Sequence, residues 1–474
     1  MSERDLFERR LEAAVHEYVE AAPTQIDAAR LTDSLATNVP RMRRLVPRPV
    51  WRLPSLGFAW ILAAAGLLAV LGMGVIATGA LRNVTQPPVP PAPPTAPAPA
   101  PSQALETPPA VIASPAPASP VVETPQPSPS ASPSSAAPIG ILLPSSWVAG
   151  EKARFLDALK ATPYRARVVA SQDSATEKAA VETLIQQGIK VLILTPQDSA
   201  AAAAAADEAR AAGVKVIAND RAVLDTVAVD YYVTFDCLAV GAAQAQYLID
   251  RAGASKGNNL YLYAGNAADS NSFAFLEGAW EKLQPKIADG TFVIRNSSVA
   301  VGLRGNPTLT HDQLAQVIAQ VTTNWDFNTS RTLAAGNLAA VPAAAKGTVF
   351  ILAPNDFTAR VIGDVFAADK DVTKSYITGQ DADKASVQSI IDGKQGMTVF
   401  KDPRTRVQAA VAVAVAFLQG GTPVATTTLN NGAIDVPARL LASVTVTKAN
   451  VQAALIDTGY YKASDFTGSW PGKP

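Results

Sequence analysis

Residues 191–218 read VLILTPQDSAAAAAAADEARAAGVKVIA. Two short apolar runs, Val191–Leu194 and Val214–Ala218, flank an alanine-rich stretch, Ser199–Ala212. A run that is apolar throughout, rather than at alternate positions, suits a strand buried on both faces. A helix-length segment between two such runs predicts a parallel crossover. The pattern extends outward in both directions. Ile139–Leu143, a helix-like stretch around Phe155–Ala161, Arg165–Ala170 and a helix over Ala175–Gln187 precede it. Apolar runs at Asn259–Ala264, Thr291–Arg295, Gly347–Ala353, Tyr376–Gly379 and Met397–Phe400 follow. Residues 139–474 therefore read as two α/β blocks in series, and open α/β sheets bind ligands at the carboxyl ends of their strands.

The residues at those ends are polar. Asn219, Asp220 and Arg221 follow Val214–Ala218, and the run from Gly265 to Asn271 follows Tyr261–Ala264. Pro354, Asn355 and Asp356 follow Phe350–Ala353; Gly379, Gln380 and Asp381 follow Ile377; Lys401 follows Phe400. Any one of these could simply cap a helix. Together they predict a polar pocket. Carboxylates, amides and cations facing adjacent hydroxyls, with aromatic rings on apolar faces, are what a sugar requires.

Five segments carry a resemblance to a known family: VKVIANDRA (214–222), YYVTFDCLAVG (231–241), APNDFTARVIG (353–363), ITGQDADKASVQSIIDGKQGMTVFKD (377–402) and VTVTKANVQAALIDTGYYK (444–462). Residues 139–470 resemble the periplasmic sugar-binding proteins of ABC importers, in the xylose-binding and multiple-monosaccharide-binding branch. The resemblance implies the type I fold, two doubly wound parallel-sheet lobes joined by a hinge of three crossings. These are expected near Asp236-Cys237, Lys401-Asp402 and Asn430. Lobe 1 would then take residues 139–237 and 402–429, and lobe 2 residues 238–401 and 430–474. Carried over by motif, Asp220 and Arg221 would grip sugar hydroxyls from lobe 1. Asn271, Asn355 and Asp381 would do so from lobe 2, and Lys401 from the hinge. Charge-assisted hydrogen bonds of this kind are short and directional.

The chain also departs from the family. Asn219 stands where relatives carry Tyr, Ser270-Asn271 where they carry paired asparagines, and Cys237 where they carry Asn. The Arg-Trp pair that follows the first strand in relatives is missing. Trp147 is the expected stacking ring, at a different spacing, and the second pocket Trp is expected to be replaced near Gly305. Such a pocket could take a different sugar, or a ligand that is not a sugar.

Upstream, Leu56–Leu81 runs for 26 residues without a charge. At about 1.5 Å per residue this spans a hydrocarbon core of about 30 Å. Arg41, Arg43, Arg44, Arg48 and Arg52 precede it and only Arg82 closely follows, so the N-terminus is expected inside and the rest outside. More than 50 residues precede the apolar run, unlike the short basic leader of a signal peptide. Residues 1–55 read as a small cytoplasmic helical segment, with Leu6, Phe7, Leu11, Val15 and Tyr18 at helical spacing. Residues 82–138 read as a disordered stalk. Of the 36 prolines, 19 fall between Pro87 and Pro138, which favours extended polyproline-II chain of up to about 160 Å.

Composition removes other classes. Forty Lys and Arg balance forty Asp and Glu, so no basic field points to nucleic acid. One cysteine forbids an intrachain disulfide, and two histidines without a Cys/His cluster give no metal site. No nucleophile elbow or phosphate loop suggests an enzyme, and no cofactor is implied. The expected function is a membrane-anchored capture of a xylose-, arabinose- or glucose-like monosaccharide for an ABC permease. The alternative is an extracytoplasmic sensor that signals through the span or a partner receptor. A long disordered stalk transmits force poorly, which counts against signalling through the span.

Overall fold

The computed structural model of the chain describes residues 137–473. The segment 1–55, the span at 56–81 and all but the end of the stalk at 82–138 lie outside the described residues. Among the described residues, no helix is long and apolar enough to cross a membrane.

Lobe 1 is built on a seven-stranded sheet. Its strands are β1 (Ile139–Pro144), β2 (Ala166–Ser171), β3 (Val191–Leu194), β4 (Lys215–Asn219) and β5 (Tyr231–Phe235), with the late arrivals β11 (Thr427–Asn430) and β12 (Asp435–Leu441). Their order across the sheet is β2-β1-β3-β4-β5-β12-β11, parallel except for the β11–β12 hairpin. Side chains within one strand divide between two cores. Ile139, Ile141 and Leu143 of β1 pack under the helices Ser145–Leu159 and Pro403–Leu418, whereas Leu142 joins the core under Ser174–Gln186 and Ala203–Ala211. Burial on both faces explains why these strands are apolar throughout.

Lobe 2 repeats the plan with β6 (Asn258–Leu262), β7 (Phe292–Ile294), β8 (Gly347–Leu352) and β9 (Val372–Ile377), parallel in the order β7-β6-β8-β9. A bridge from Gln380 to Val399 extends the sheet to β10 (Thr398–Phe400), which pairs antiparallel with β13 (Val444–Val446). Leu260 and Leu262 of β6 face the helices Cys237–Ala252, Ser270–Ala288 and His311–Val321, while Tyr261 and Tyr263 face Phe327–Ala339 and Asp356–Ala367. The helices Cys237–Ala252 and Ser270–Ala288 meet backbone to backbone. A Cβ on Gly241 would sit 1.9 Å from the Phe275 carbonyl oxygen, so only glycine allows the contact.

Two crossings fall where the sequence puts them. The chain leaves β5 at Phe235 and enters the lobe 2 helix at Cys237, and it leaves β10 at Phe400 for the lobe 1 helix at Pro403. The third does not lie near Asn430. Both β11 and β12 belong to lobe 1, and the chain crosses at Ala442-Ser443, so residues 430–441 move from lobe 2 to lobe 1. The turn at Asn430 is a hairpin tied to lobe 1. The Asn431 side-chain amide donates to the Val223 and Thr226 carbonyls at 3.0 and 2.8 Å, and β12 then pairs with β5 from Ala438 to Leu441. An Asn-Asn-Gly turn signals a hairpin and says nothing about which sheet receives it.

Candidate functional site

The carboxyl ends of both sheets face one cleft, and the lobes touch directly across it. Ser199 of lobe 1 donates its N–H to the Ala268 carbonyl at 2.9 Å, and its hydroxyl accepts the Ser270 N–H at 3.1 Å. The Ala222 N–H donates to the Ser270 hydroxyl at 3.0 Å. Beside them, Arg221 Nε lies 2.8 Å from Asp269 Oδ2. Arg221 Nη1 also donates to the carbonyls of Pro196 and Gln197 at 3.1 and 3.3 Å. Asp269 caps the helix Ser270–Ala288 by accepting the Asn271 N–H at 2.9 Å. Burial raises the Asp269 carboxyl above its ordinary range, and Arg221 opposes that rise.

Asp220, next to Arg221, occupies a left-handed backbone position with φ +66°. Asp and Asn tolerate this better than most residues. Hydroxyls of Tyr232 and Thr234 fix it by donating to its carbonyl at 2.8 and 2.7 Å. Its carboxylate accepts Asn271 Nδ2 at 3.0 Å on Oδ1 and lies 3.4 Å from Arg406 Nε on Oδ2. Asn271 Oδ1 accepts the Cys237 thiol at 3.3 Å. Burial pushes that thiol up to about 12, so it remains protonated and a donor. The guanidinium carbons of Arg221 and Arg406 each lie 5.5 Å from the centre of the half-buried Trp147 ring. Arg406 Nη2 pairs with Glu151 Oε2 at 2.7 Å, and Glu151 Oε1 lies 3.1 Å from Arg154.

On the hinge side, Lys401 Nζ lies 3.0 Å from Asp381 Oδ1 and 5.0 Å from the centre of the Phe275 ring. Burial alone would lower the Lys401 ammonium, but the carboxylates of Asp381 and Asp220 outweigh it and hold the group above its ordinary value. Asp381 is 45% exposed in its side chain, has φ +97°, and caps no helix; Asp383 caps the one that follows.

Six of the seven residues expected at the site therefore gather in this cleft. Trp147, Asp220, Arg221 and Asn271 form one connected set, and the Asp381–Lys401 pair adjoins it. Asn355 is the seventh. Its Oδ1 caps the helix Asp356–Ala367, accepting the Thr358 N–H and hydroxyl at 3.0 and 2.7 Å. Only its amide nitrogen is left for a ligand. The buried Asp356 beside it is a structural knot: it accepts the Asp383 N–H, the Thr398 hydroxyl and the Gln395 amide.

Four participants escaped the sequence reading: Asp269, Glu151, Arg406 and Trp325. Asp269 stood in the run after Tyr261–Ala264 and could have been singled out. Glu151 and Arg406 are 255 positions apart, and nothing local links them. Gly305 lies in an exposed loop, whereas Trp325 packs with Phe275, Cys237 and Val399. Its ring occupies the space a Cβ on Gly265 would need, and its buried indole N–H has no partner among the described residues.

Fold and cleft together define a two-lobed binding protein with a polar cleft between its lobes. The chain belongs to the family of the periplasmic binding protein domain, whose family model matches residues 142–422. The multiple sugar-binding periplasmic protein of Azospirillum brasilense is 31% identical over 69% of this chain and 90% of its own length. The D-xylose-binding periplasmic protein of Escherichia coli is 30% identical over 66% of this chain and 88% of its own. A carbohydrate transporter solute binding protein from Chloroflexus aurantiacus, solved in complex with D-glucose, is 60% identical with a TM-score of 0.68, covering 71% of this chain and 98% of that one. Membership of this family makes the chain a binding protein and not an enzyme.

Glu177 supports the site from below. Its Oε2 accepts the Gln197 N–H at 2.7 Å, while Oε1 is buried without a partner. Burial raises its carboxyl to about 7, against the pull of Arg221. A carboxyl raised in the folded state contributes stability that is full below its unfolded value near 4.5 and is lost as pH rises through about 7. Glu177→Gln is therefore expected to unfold at about the same temperature as wild type at pH 4. At pH 8 it should gain up to about 3 kcal/mol of stability. Thermal unfolding across that range checks the expectation, and an equal effect at both pH values contradicts it.

Proposed function

We propose that this chain captures a neutral monosaccharide, D-glucose or D-xylose first among candidates, outside the cytoplasmic membrane and delivers it to an ABC permease. The observation that carries the proposal is the charge pattern of the cleft. Asp220, Asp269, Asp381 and Glu151 are each paired with Arg406, Arg221, Lys401 or Arg154. Balanced ion pairs give a charged ligand no net attraction, yet they present strong donors and acceptors to hydroxyls. Trp147 supplies an aromatic face on lobe 1, with Phe275 and Trp325 on lobe 2. The D-glucose held by the Chloroflexus aurantiacus relative and the D-xylose bound by the Escherichia coli one agree with this chemistry.

The anchor belongs to the same proposal. Residues 56–81 would hold the chain in the membrane, and the Pro-rich residues 82–138 would let the two lobes range near the permease at a high effective concentration.

Calorimetric titration of the full-length chain tests the ligand. D-glucose or D-xylose should bind, and Asp381→Ala should weaken binding roughly ten- to a hundredfold, the loss of a charged hydrogen bond of about 1.5–3 kcal/mol. Its melting temperature should fall as well, because the mostly buried Lys401 ammonium loses its partner at 3.0 Å, so affinity is the deciding readout. A variant that melts lower but binds normally would remove Asp381 from the site. For the anchor, alkaline phosphatase fused after residue 140 should be active in the envelope and inactive when fused after residue 50. Inactivity at 140 would overturn the topology.

A further inference from the structure

Arg406 is the one cation of the cleft supplied by the first turns of the helix Pro403–Leu418, immediately beyond the second crossing. It is 3% exposed. An arginine presents five N–H donors in a rigid plane, and those of a buried one require acceptors. Nη2 is held by Glu151 at 2.7 Å, and Nε faces Asp220 Oδ2 at 3.4 Å. Nη1 is buried and has no acceptor among the described residues. The guanidinium stands at the Trp147 ring, whose surface offers no strong acceptor.

We propose that Arg406 is a direct ligand-binding residue, its Nη1 donating to a sugar hydroxyl that in turn donates to the Asp220 carboxylate. The inference rests on the monosaccharide reading above. A hydroxyl fits this place better than an anion. Arg406 is already neutralised by Glu151 and Asp220, and Asp220 Oδ2 would repel a second negative charge beside it. A hydroxyl is both donor and acceptor, so one oxygen satisfies the orphaned Nη1 and Asp220 Oδ2 together. The expected Arg-Trp pair is absent after β1, where Pro144-Ser145-Ser146 precedes Trp147. Arg406 brings a guanidinium to Trp147 from the other end of the fold. The same side chain would tie the sugar to the helix that follows the second crossing, and so to the closure of the lobes.

The test is a titration of full-length wild type and Arg406→Lys with D-glucose and with glucoses deoxygenated singly at positions 1, 2, 3, 4 and 6. Lysine retains a cation for Glu151 but lacks the fork, so thermal unfolding should show a folded protein; Arg406→Gln, which keeps planar donors, is measured alongside. Wild type should lose at least tenfold in affinity for one deoxyglucose. Arg406→Lys should bind D-glucose at least tenfold more weakly than wild type and should no longer distinguish that analogue from D-glucose. If all six sugars weaken by one common factor, or if D-glucose affinity is unchanged, Arg406 does not touch the sugar and the proposal falls. If wild type binds neither the six nor D-xylose, the monosaccharide reading falls and takes this proposal with it; if D-xylose alone binds, the same comparison is read with singly deoxygenated xyloses.

Discussion

Arg221 and Asp269 come from opposite lobes and meet at 2.8 Å in a place that water barely reaches. Burying two charges is costly unless the pair is well made and its remaining polar atoms are occupied. The remaining atoms are partly occupied here: Arg221 Nη1 donates to two carbonyls and Asp269 accepts a helix-terminal N–H, while the Nε–Oδ2 approach is a charge contact without hydrogen-bond geometry. The geometry exists only when the lobes are together. With the lobes apart, both groups return to water, so the contact bears on closure more than on folding. Other contacts between the lobes share its seam. Asn271 reaches Asp220 across the same seam at 3.0 Å, and the Ser199–Ser270 contacts lie alongside.

That seam also explains the placement of strain. Asp220 and Asp381 both hold positive φ at strand ends. Non-glycine residues in that region persist only where their surroundings hold them, and such positions concentrate at functional sites. For Asp220 the hold is visible in the Tyr232 and Thr234 hydroxyls on its carbonyl. For Asp381 it is the N–H donated to the Val399 carbonyl at 2.9 Å. Each turn aims a carboxylate toward the cleft.

The two sheets were legible because parallel strands buried on both faces leave unbroken apolar runs, as in Val191–Leu194. The strand-end polar residues were legible for a related reason, since β→α junctions in such sheets converge on one cleft. What local pattern cannot convey is pairing between distant segments. The hairpin at Asn430 looked like a crossing because its Asn-Asn-Gly turn does not disclose that β12 pairs with β5. Arg406 looked like an ordinary helix residue because its partners, Glu151 and Asp220, lie far away in sequence. Trp325 was passed over because its position depends on the bare Cα of Gly265, a tertiary fact. Asn355 met both descriptions at once, as a helix cap at the rim of a cleft.

The most direct measurement is a crystal structure of the protein grown with saturating D-glucose. The account predicts one sugar between the lobes, against the Trp147 ring, with hydroxyls on Asp220 and Asp381 and the Arg221–Asp269 contact closed over it. A sugar found elsewhere, or an empty cleft with that contact intact at saturating D-glucose, would contradict it.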